Sequence, residues 1–469
     1  MNLFKRAMNI KWLKVCATIS LSLLSWSAKA SQDYGFTVLG PENIGVLRWL
    51  TESSQCPLVT WSSGKQQALQ LRAEKAVRPA PIDATQKDKQ PSNFKLTSCE
   101  ISWPPTEASA SIQGRTFQAP KKKYHRILLM GDTGCRLKAS ENAYQDCSNP
   151  RNWPFATNVR NALTQHPDLI VHMGDIHYRE SPCPDNLDCR NSSWGYGSDA
   201  WIDDFFKPAD PLLDQAPWVF VRGNHEACNR AGQGWFRFLD PRPLTSQVAC
   251  ERTDVNELDN FTPPYLVKIN QDLSFVIFDS SAISPKHLPI DSSSFHIYSK
   301  YMTWVEQATK GEGSFAFLSH HPVYGMAYAK SKNDLNPGGN VNLINWFSKM
   351  ADNTLAPQHT QWLMHGHIHS FEAIGYEDHS FSSFILGNSG SQIEGVVPSA
   401  IPNGFEVAPG LRLKTYYSSP KYGFAVIEIQ EDNTTSYTLT EFDDRGEAML
   451  TCDLTKSPVT CRDLTSPSD

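Results

Sequence analysis

Two patterns of apolar and polar positions divide the chain. From about residue 33 to 120 the apolar stretches are short and β-prone: VLRWL, PLVTW, ALQLRA, FKLTSCEISW and SASIQG, separated by turn residues. RPAPIDATQKDKQPS reads as a loop and QAPKKK as an exit linker. This half of the pattern predicts a small all-β sandwich over residues 31–120. From His125 onward the apolar runs are continuous and end in polar residues: RILLMGD (126–132), DLIVHMGD (168–175) and PWVFVRGNHE (217–226). SFVIFDS, SFAFLSHHP, QWLMHGHIH and FSSFILGNSG follow, and NVRNALTQH has helical spacing. Apolar strands alternating with helices predict a buried sheet with helices outside it over 121–450, with a short tail at 451–469.

The first 30 residues have a different character. Lys5, Arg6, Lys11 and Lys14 flank or precede the apolar run VCATISLSLLSW, and Ala28-Lys29-Ala30 offers a small-x-small cleavage site. These three parts predict a secretory signal over 1–30. The run is too short for the roughly 20 residues of a membrane span. Its removal takes away Lys5, Arg6, Lys11, Lys14 and Lys29 and no acid, so the formal charge of −6 becomes −11. An acidic mature protein argues against nucleic acid as a partner, since phosphate backbones demand a basic surface. Without Cys16 there are ten cysteines, in the sequential pairs Cys56/Cys99, Cys135/Cys147, Cys183/Cys189, Cys228/Cys250 and Cys452/Cys461. Five disulfides between neighbours are the simplest expectation for an exported chain, secreted or periplasmic. C-x-x-C zinc spacing is absent from the sequence.

The polar strand ends carry the candidate chemistry. In order they are Gly131-Asp132-Thr133-Gly134, Gly174-Asp175-Ile176-His177-Tyr178, Gly223-Asn224-His225-Glu226, His320-His321-Pro322 and His365-Gly366-His367-Ile368-His369. Each alone has an ordinary reading as a turn, a helix cap or a hydrogen-bonded core histidine. Together, two Asp, an Asn and three or more His at the strand ends of one sheet form an oxygen and nitrogen donor set. Such a set suits Fe, Mn or Zn, and its size suits two ions sharing a carboxylate.

With those motifs in view, the ordered series GD-x-G, GD-x-x-Y, GNHE, H-x-P and GH-x-H resembles the calcineurin-like metallophosphoesterases, and among them the purple acid phosphatases, over about residues 125–430. The resemblance implies a four-layer α/β/β/α sandwich preceded by a small fibronectin type III-like all-β domain. It also implies two metal sites. Asp132, Asp175, Tyr178 and His369 would hold the first ion, and Asp175, Asn224, His320 and His367 the second. Tyr178 replaces the missing His of D-x-H, because Asp132-Thr133-Gly134 has Gly there, and a phenolate points to Fe(III) in the first site. Zn, Mn or Fe(II) would fill the second. His225 and His177 are the candidates for proton transfer, and Asn224, His225, Arg179 and His321 for substrate contact. The loop VYGMAYAKSKNDLNPGG lacks the further His that purple acid phosphatases usually place after H-x-P.

The implied activity is that of an acid phosphatase, hydrolysing small phosphomonoesters with a metal-bound hydroxide. The same site would also serve a phosphodiesterase or nucleotidase. A reading of another class is a non-catalytic, metal-containing protein that attaches to a surface. Oligomeric state leaves no mark in the sequence.

Overall fold

The strands β1 (Tyr34–Leu39) and β2 (Gly45–Thr51) pair antiparallel, and β4 (Thr97–Ser102) and then β3 (Gln70–Ala73) extend the sheet beyond β2. Four further strands, Leu58–Trp61, Gln66–Ala68, Ser109–Ile112 and Arg115–Gln118, form a second small sheet. Leu47, Trp49, Val59, Trp61, Ile101 and Phe117 fill the space between the two. This is the sandwich that the short β-prone runs predict. The computed structural model describes residues 33–81, 90–245, 250, 260–311, 313–329, 334–350, 354–393, 401, 404–431 and 435–465. The expected signal at 1–30 lies outside them.

The sandwich does not stand apart. The other edge of β1 pairs in parallel with the strand Trp218–Phe220, Val38 opposite Trp218. The cause is visible in the sequence of β1, YGFTVL, in which every residue is buried. A strand apolar on both faces needs cover on both. Phe36 and Val38 enter one core cluster and Leu39 another. Two buried arginines lock the seam. Arg48 donates to the carbonyl of Phe238 (2.5 Å) and Arg72 to that of Phe236 (3.0 Å), while both bond Glu100 (2.8 and 2.9 Å). The boundary expected near residue 120 is thus a linker in sequence, and the described residues pack as one unit.

Past the linker, β5 (Arg126–Met130), β6 (Leu169–His172) and β7 (Trp218–Phe220) run parallel at the centre of the first sheet. Helix α1 (Phe155–Leu163) joins β5 to β6 and buries Phe155, Val159 and Ala162. Helix α2 (Ser198–Trp201), a π-helical turn at Ile202–Phe206 and α3 (Lys207–Leu213) lead to β7, and α4 (Gly232–Phe238) follows it. Their apolar sides share a core with Phe36, Leu128, Ile170 and Trp218.

The next strands build a second sheet: β8 (Tyr265–Lys268), β9 (Leu273–Phe278), β10 (Ser314–Ser319), β11 (Thr360–His365), β12 (Phe371–Tyr376), β13 (Ser382–Leu386), β14 (Glu406–Ala408) and β15 (Leu411–Ser419). Their order is β8-β9-β10-β11-β13-β12-β15-β14. Helices α5 (Ser293–Ala308) and α6 (Val341–Phe347) cover its outer face through Tyr298, Met302, Leu343 and Phe347. The chain then returns to the first sheet with β16 (Gly423–Glu431), β17 (Thr435–Asp443), β18 (Ala448–Asp453) and β19 (Thr460–Asp463). The first sheet reads β19-β18-β17-β16-β5-β6-β7-β1-β2-β4-β3. Leu129 and Val171 from it meet Phe275, Ala316, Met364 and Leu386 from the other. Two sheets face to face with helices outside both give the α/β/β/α layering. The tail at 451–469 contributes β19 to the first sheet. All five expected disulfides are present, Cys452–Cys461 directly across β18 and β19.

Candidate metal centre

The loops that leave β5, β6 and β7 and those that leave β10 and β11 meet at one end of the two sheets. The donor set therefore spans two sheets, where the sequence pattern suggested one. The backbone turns left-handed at Asp132 (φ 53°), Asp175 (φ 53°) and His367 (φ 72°). Such conformations cost L residues about 1 kcal/mol or more and persist where surrounding structure imposes them. Glycines make room for them. A Cβ on Gly223 would fall 2.2 Å from both the amide nitrogen and Oδ1 of Asp175, and Gly174 itself has φ 93°.

Tyr178 lies at the middle. Its hydroxyl is 3.0 Å from Asp132 Oδ1, 2.9 Å from Asp175 Oδ2 and 2.8 Å from His369 Nε2. On the other side of Asp175, the same Oδ2 is 3.0 Å from His320 Nε2. Asn224 Oδ1 lies 3.1 Å from His320 Nε2 and 3.1 Å from His367 Nδ1. Donor atoms of Asp175, His320 and His367 fall within 4.8 Å of one another. Asp175 belongs to both groups, as a bridging ligand must. Asn224 and His367 are half-buried and form the open side; Asp132, Asp175, Tyr178 and His320 are buried.

The electrostatics of this cluster favour cations. Burial raises the Asp132 carboxyl. Burial also opposes ionisation of Asp175, but His320 and His225 outweigh it and hold that carboxyl well below its ordinary range. His320 is the converse: burial disfavours its charge, and Asp175 overrides this and lifts it to about 9. The Tyr178 phenol is pushed well above its ordinary value by burial and by Asp175 and Asp132. Two buried carboxylates, an amide oxygen, a phenol and three imidazoles converging on one buried space fit two hard or borderline ions. The outer contacts fit as well: His320 Nδ1 is 2.8 Å from the Met173 carbonyl, and His369 Nδ1 is 2.8 Å from that of Gln392, which aims each Nε2 at the site.

His225 lies just outside this set. Its amide donates to Asp175 Oδ1 (2.8 Å), and its ring packs 3.8 Å from the Tyr178 ring. Burial and Arg230 push its pKa down to about 4. His321 is also in place, its ring 4.4 Å from that of His367 and its Nδ1 3.3 Å from Ser280 Oγ.

Two expected residues are elsewhere. His177 is fully buried, stacked on Tyr196 (5.4 Å) and against Trp201 (5.3 Å), and neither ring nitrogen makes a well-formed hydrogen bond. Its side chain points into the helical layer because neighbours on an extended loop face opposite ways and Tyr178 takes the site side. Proton transfer by His177 is excluded by that placement. Arg179 is likewise withdrawn from substrate: its Nε bonds Asp204 Oδ1 (2.6 Å) and its guanidinium covers Trp153. Arg222 is buried against Asp279 and the Glu226 carbonyl. Tyr196, Trp201, Trp235 and Phe238 are core.

Several functional residues escaped the sequence reading. Glu226, the last letter of GNHE, accepts from the amides of Asp175 (3.0 Å), Ile176 (2.8 Å), His177 (3.0 Å) and Gly223 (3.0 Å). Burial and Asp175 raise its carboxyl to about 7. Asp204 takes the amides of Cys135 (3.0 Å) and Tyr178 (2.7 Å), and so ties the first two loops together. His172 bonds Thr133 Oγ1 (2.9 Å). Glu180 flanks His225, and Arg136 Nη1 lies 3.5 Å from His369 Nδ1. Glu226 lies inside a quoted motif and was open to notice; Asp204 acts through contacts that no local pattern reveals.

The profile of the calcineurin-like phosphoesterases matches residues 125–380. No curated protein matches the chain. Among solved structures, the purple acid phosphatase PPD1 from yellow lupin (Lupinus luteus) seeds is similar with a TM-score of 0.52 and 14% identity, over 89% of this chain and 73% of that one. PhoD is similar with a TM-score of 0.51 and 11% identity, over 93% and 92%. At these identities the likeness is one of fold. The match over more than half its length places the chain in the calcineurin-like phosphoesterase family.

Proposed function

We propose that the protein is an exported acid phosphatase of the purple type, hydrolysing small phosphomonoesters at a centre of two metal ions. The observation that carries this reading is the Tyr178 hydroxyl, within 3.0 Å of Asp132, Asp175 and His369. A phenol this deep and this surrounded by carboxylate is a ligand for a strongly charged ion, which supports Fe(III) beside Asp132, Asp175, Tyr178 and His369. Asp175, Asn224, His320 and His367 would hold Zn, Mn or Fe(II). When bound, such a pair neutralises phosphate oxygens and makes a nucleophile available in mildly acidic water.

The chain's own side chains do the rest. His225, against Tyr178 and outside the donor set, is placed to exchange a proton with the leaving group. His321 and Arg230 add positive or hydrogen-bonding character on either side of the open face. The oxidised cysteines support export, and among the described residues no helix is long and apolar enough to cross a membrane.

The test is a visible spectrum of the purified protein beside its metal content. A broad phenolate-to-iron band, lost in Tyr178→Phe, with hydrolysis of p-nitrophenyl phosphate in acid, is the expected result. A colourless protein with two Zn or Mn would sink the purple assignment. A loaded protein that cleaves bis(p-nitrophenyl) phosphate in preference would reassign the substrate class.

A further inference from the structure

Helix α4, which follows the Gly223-Asn224-His225-Glu226 turn, is held at both ends. At its start no linker intervenes: the Ala231 amide donates to the carbonyl of His225 (3.0 Å) and the Gly232 amide to that of Ala227 (3.0 Å). At its other end, past Phe238, the last carbonyls need donors from outside the helix. That of Trp235 takes the amides of Leu239 (2.8 Å) and Asp240 (3.1 Å). Those of Phe236 and Phe238 are taken by the N-terminal sandwich. Arg72 of β3 gives Nε (3.0 Å) and Nη2 (2.6 Å) to the Phe236 carbonyl, and Nη1 to that of Arg242 (2.8 Å). Arg48 of β2 gives Nη1 to the Phe238 carbonyl (2.5 Å).

The sandwich grips the length of α4 as well. Gln233 Nε2 donates to the Pro79 carbonyl (3.2 Å), Arg237 donates to that of Glu74, and its guanidinium covers Phe94 (4.7 Å). Gly234 lies so near Trp201 that a Cβ on it would fall 2.0 Å from the indole nitrogen. The helix has seven residues, all buried, and is about 10 Å long. A short helix packed this closely shifts as a rigid piece. A displacement at its end near Arg72 is passed to Ala231, and from there to His225. Arg72 holds that end through directed hydrogen bonds, while its charge is met by Glu100 (2.9 Å).

We propose that Arg72 is a positioning residue for His225, acting through α4, so that the N-terminal sandwich is a working part of the catalytic centre. The proposal rests on the role in proton exchange given to His225 above.

Kinetics of the metal-loaded full chain with p-nitrophenyl phosphate, and amide exchange in the metal-free chain, test it together. Arg72→Met keeps the stem and loses the donors; it is expected to lower kcat about tenfold, with KM changed by less than about twofold. Exchange of the Ala231 amide should quicken by about tenfold or more. Arg115→Gln is the control, since Arg115 ties the same sandwich to Asp210 of α3 and to Asp214 just after it. It should leave kcat and the Ala231 exchange unchanged, whatever it does to Tm. In the His225→Ala background, Arg72→Met should change kcat by less than about twofold, because the group it positions is gone. Arg72→Lys takes its place if the Met variant does not fold: an ammonium keeps the charge beside Glu100 but cannot fork between two carbonyls. Unchanged exchange at Ala231, an equal loss of kcat in Arg115→Gln, or the same loss persisting in the His225→Ala background overturns the proposal. Full kcat in His225→Ala would instead remove the role of His225 itself, and the proposal would fall with it.

Discussion

A carboxylate oxygen of Glu180 lies 3.0 Å from Nδ1 of His225. The same nitrogen is 3.1 Å from the His177 carbonyl and 2.5 Å from Arg230 Nη2. Arg230 Nη2 is 2.6 Å from the other nitrogen, Nε2, and its Nε bonds Glu180 (2.5 Å). Glu180 is thus a positioning residue for His225. His225→Ala is expected to lower kcat by about 10²–10⁴. Glu180→Gln, which keeps the shape and removes the charge, is expected to cost roughly tenfold in kcat with a smaller change in KM. Steady-state kinetics with p-nitrophenyl phosphate decide it; an unchanged kcat in Glu180→Gln would reduce the pair to a structural ion bridge with Arg230.

Glu226 touches no donor atom of the site, yet it holds the backbone of the loop that carries Asp175. Glu226→Ala leaves four buried amides without an acceptor, an expected loss of about 3 kcal/mol or more in metal-free stability. Metal affinity should fall 10–100-fold. Glu226→Gln, which keeps an acceptor, should fall between. Urea unfolding of the apo protein and metal titration provide the two numbers, and an Ala variant with wild-type metal affinity would contradict the role.

The Cys135–Cys147 bridge closes a loop of 12 residues that begins beside Thr133 and carries Arg136. Replacing both cysteines by Ala should cost about 2–4 kcal/mol through the freedom returned to the unfolded chain. Because Cys135 bonds Asp204 through its amide, the metal centre should survive at reduced affinity. Denaturant midpoints with and without metal separate the two effects.

Two buried acids set an unusual dependence of stability on pH. Burial raises Glu372 and Glu441 to about 8, from an ordinary 4.5. The folded protein keeps protons there that the unfolded chain releases, so stability falls as pH rises from about 4.5 to about 8. Glu141 runs the other way: burial opposes its charge, but Lys138 and Arg136 prevail and hold it at about 2, so its contribution fades as pH drops below 4.5. These three groups together should contribute most near pH 4.5–5, whereas His172 and His365, which burial lowers to about 3, add stability as pH rises towards 6.5. Urea unfolding between pH 3 and 9 tests this, and Glu441→Gln should flatten the alkaline slope. A maximum near pH 8 would refute it.

Much of the centre was readable because its residues end apolar runs. A buried strand must be apolar, and the first polar residues after it fall at the sheet's edge, which is why Asp132, Asp175, Asn224, His320, His367 and His369 stand out. The side on which each residue points was not readable: His177 and Tyr178 are neighbours, and only the packing of Tyr196 and Trp201 decides which one faces the site. Arg179 was lost for the same reason, since Asp204 lies 25 positions away. The sandwich at the start was legible as strands but not as part of the larger sheet, because the partner of Val38 is Trp218, far along the chain.

The donor set draws on both sheets, with Asp132, Asp175, Tyr178 and Asn224 from one and His320, His367 and His369 from the other. Ions bound there act as rivets through the seam between two slabs. Their affinity then measures how firmly the slabs are docked, and any change deep in the apolar filling between them, however far from the ligands, is felt at the metals as slack in the joint.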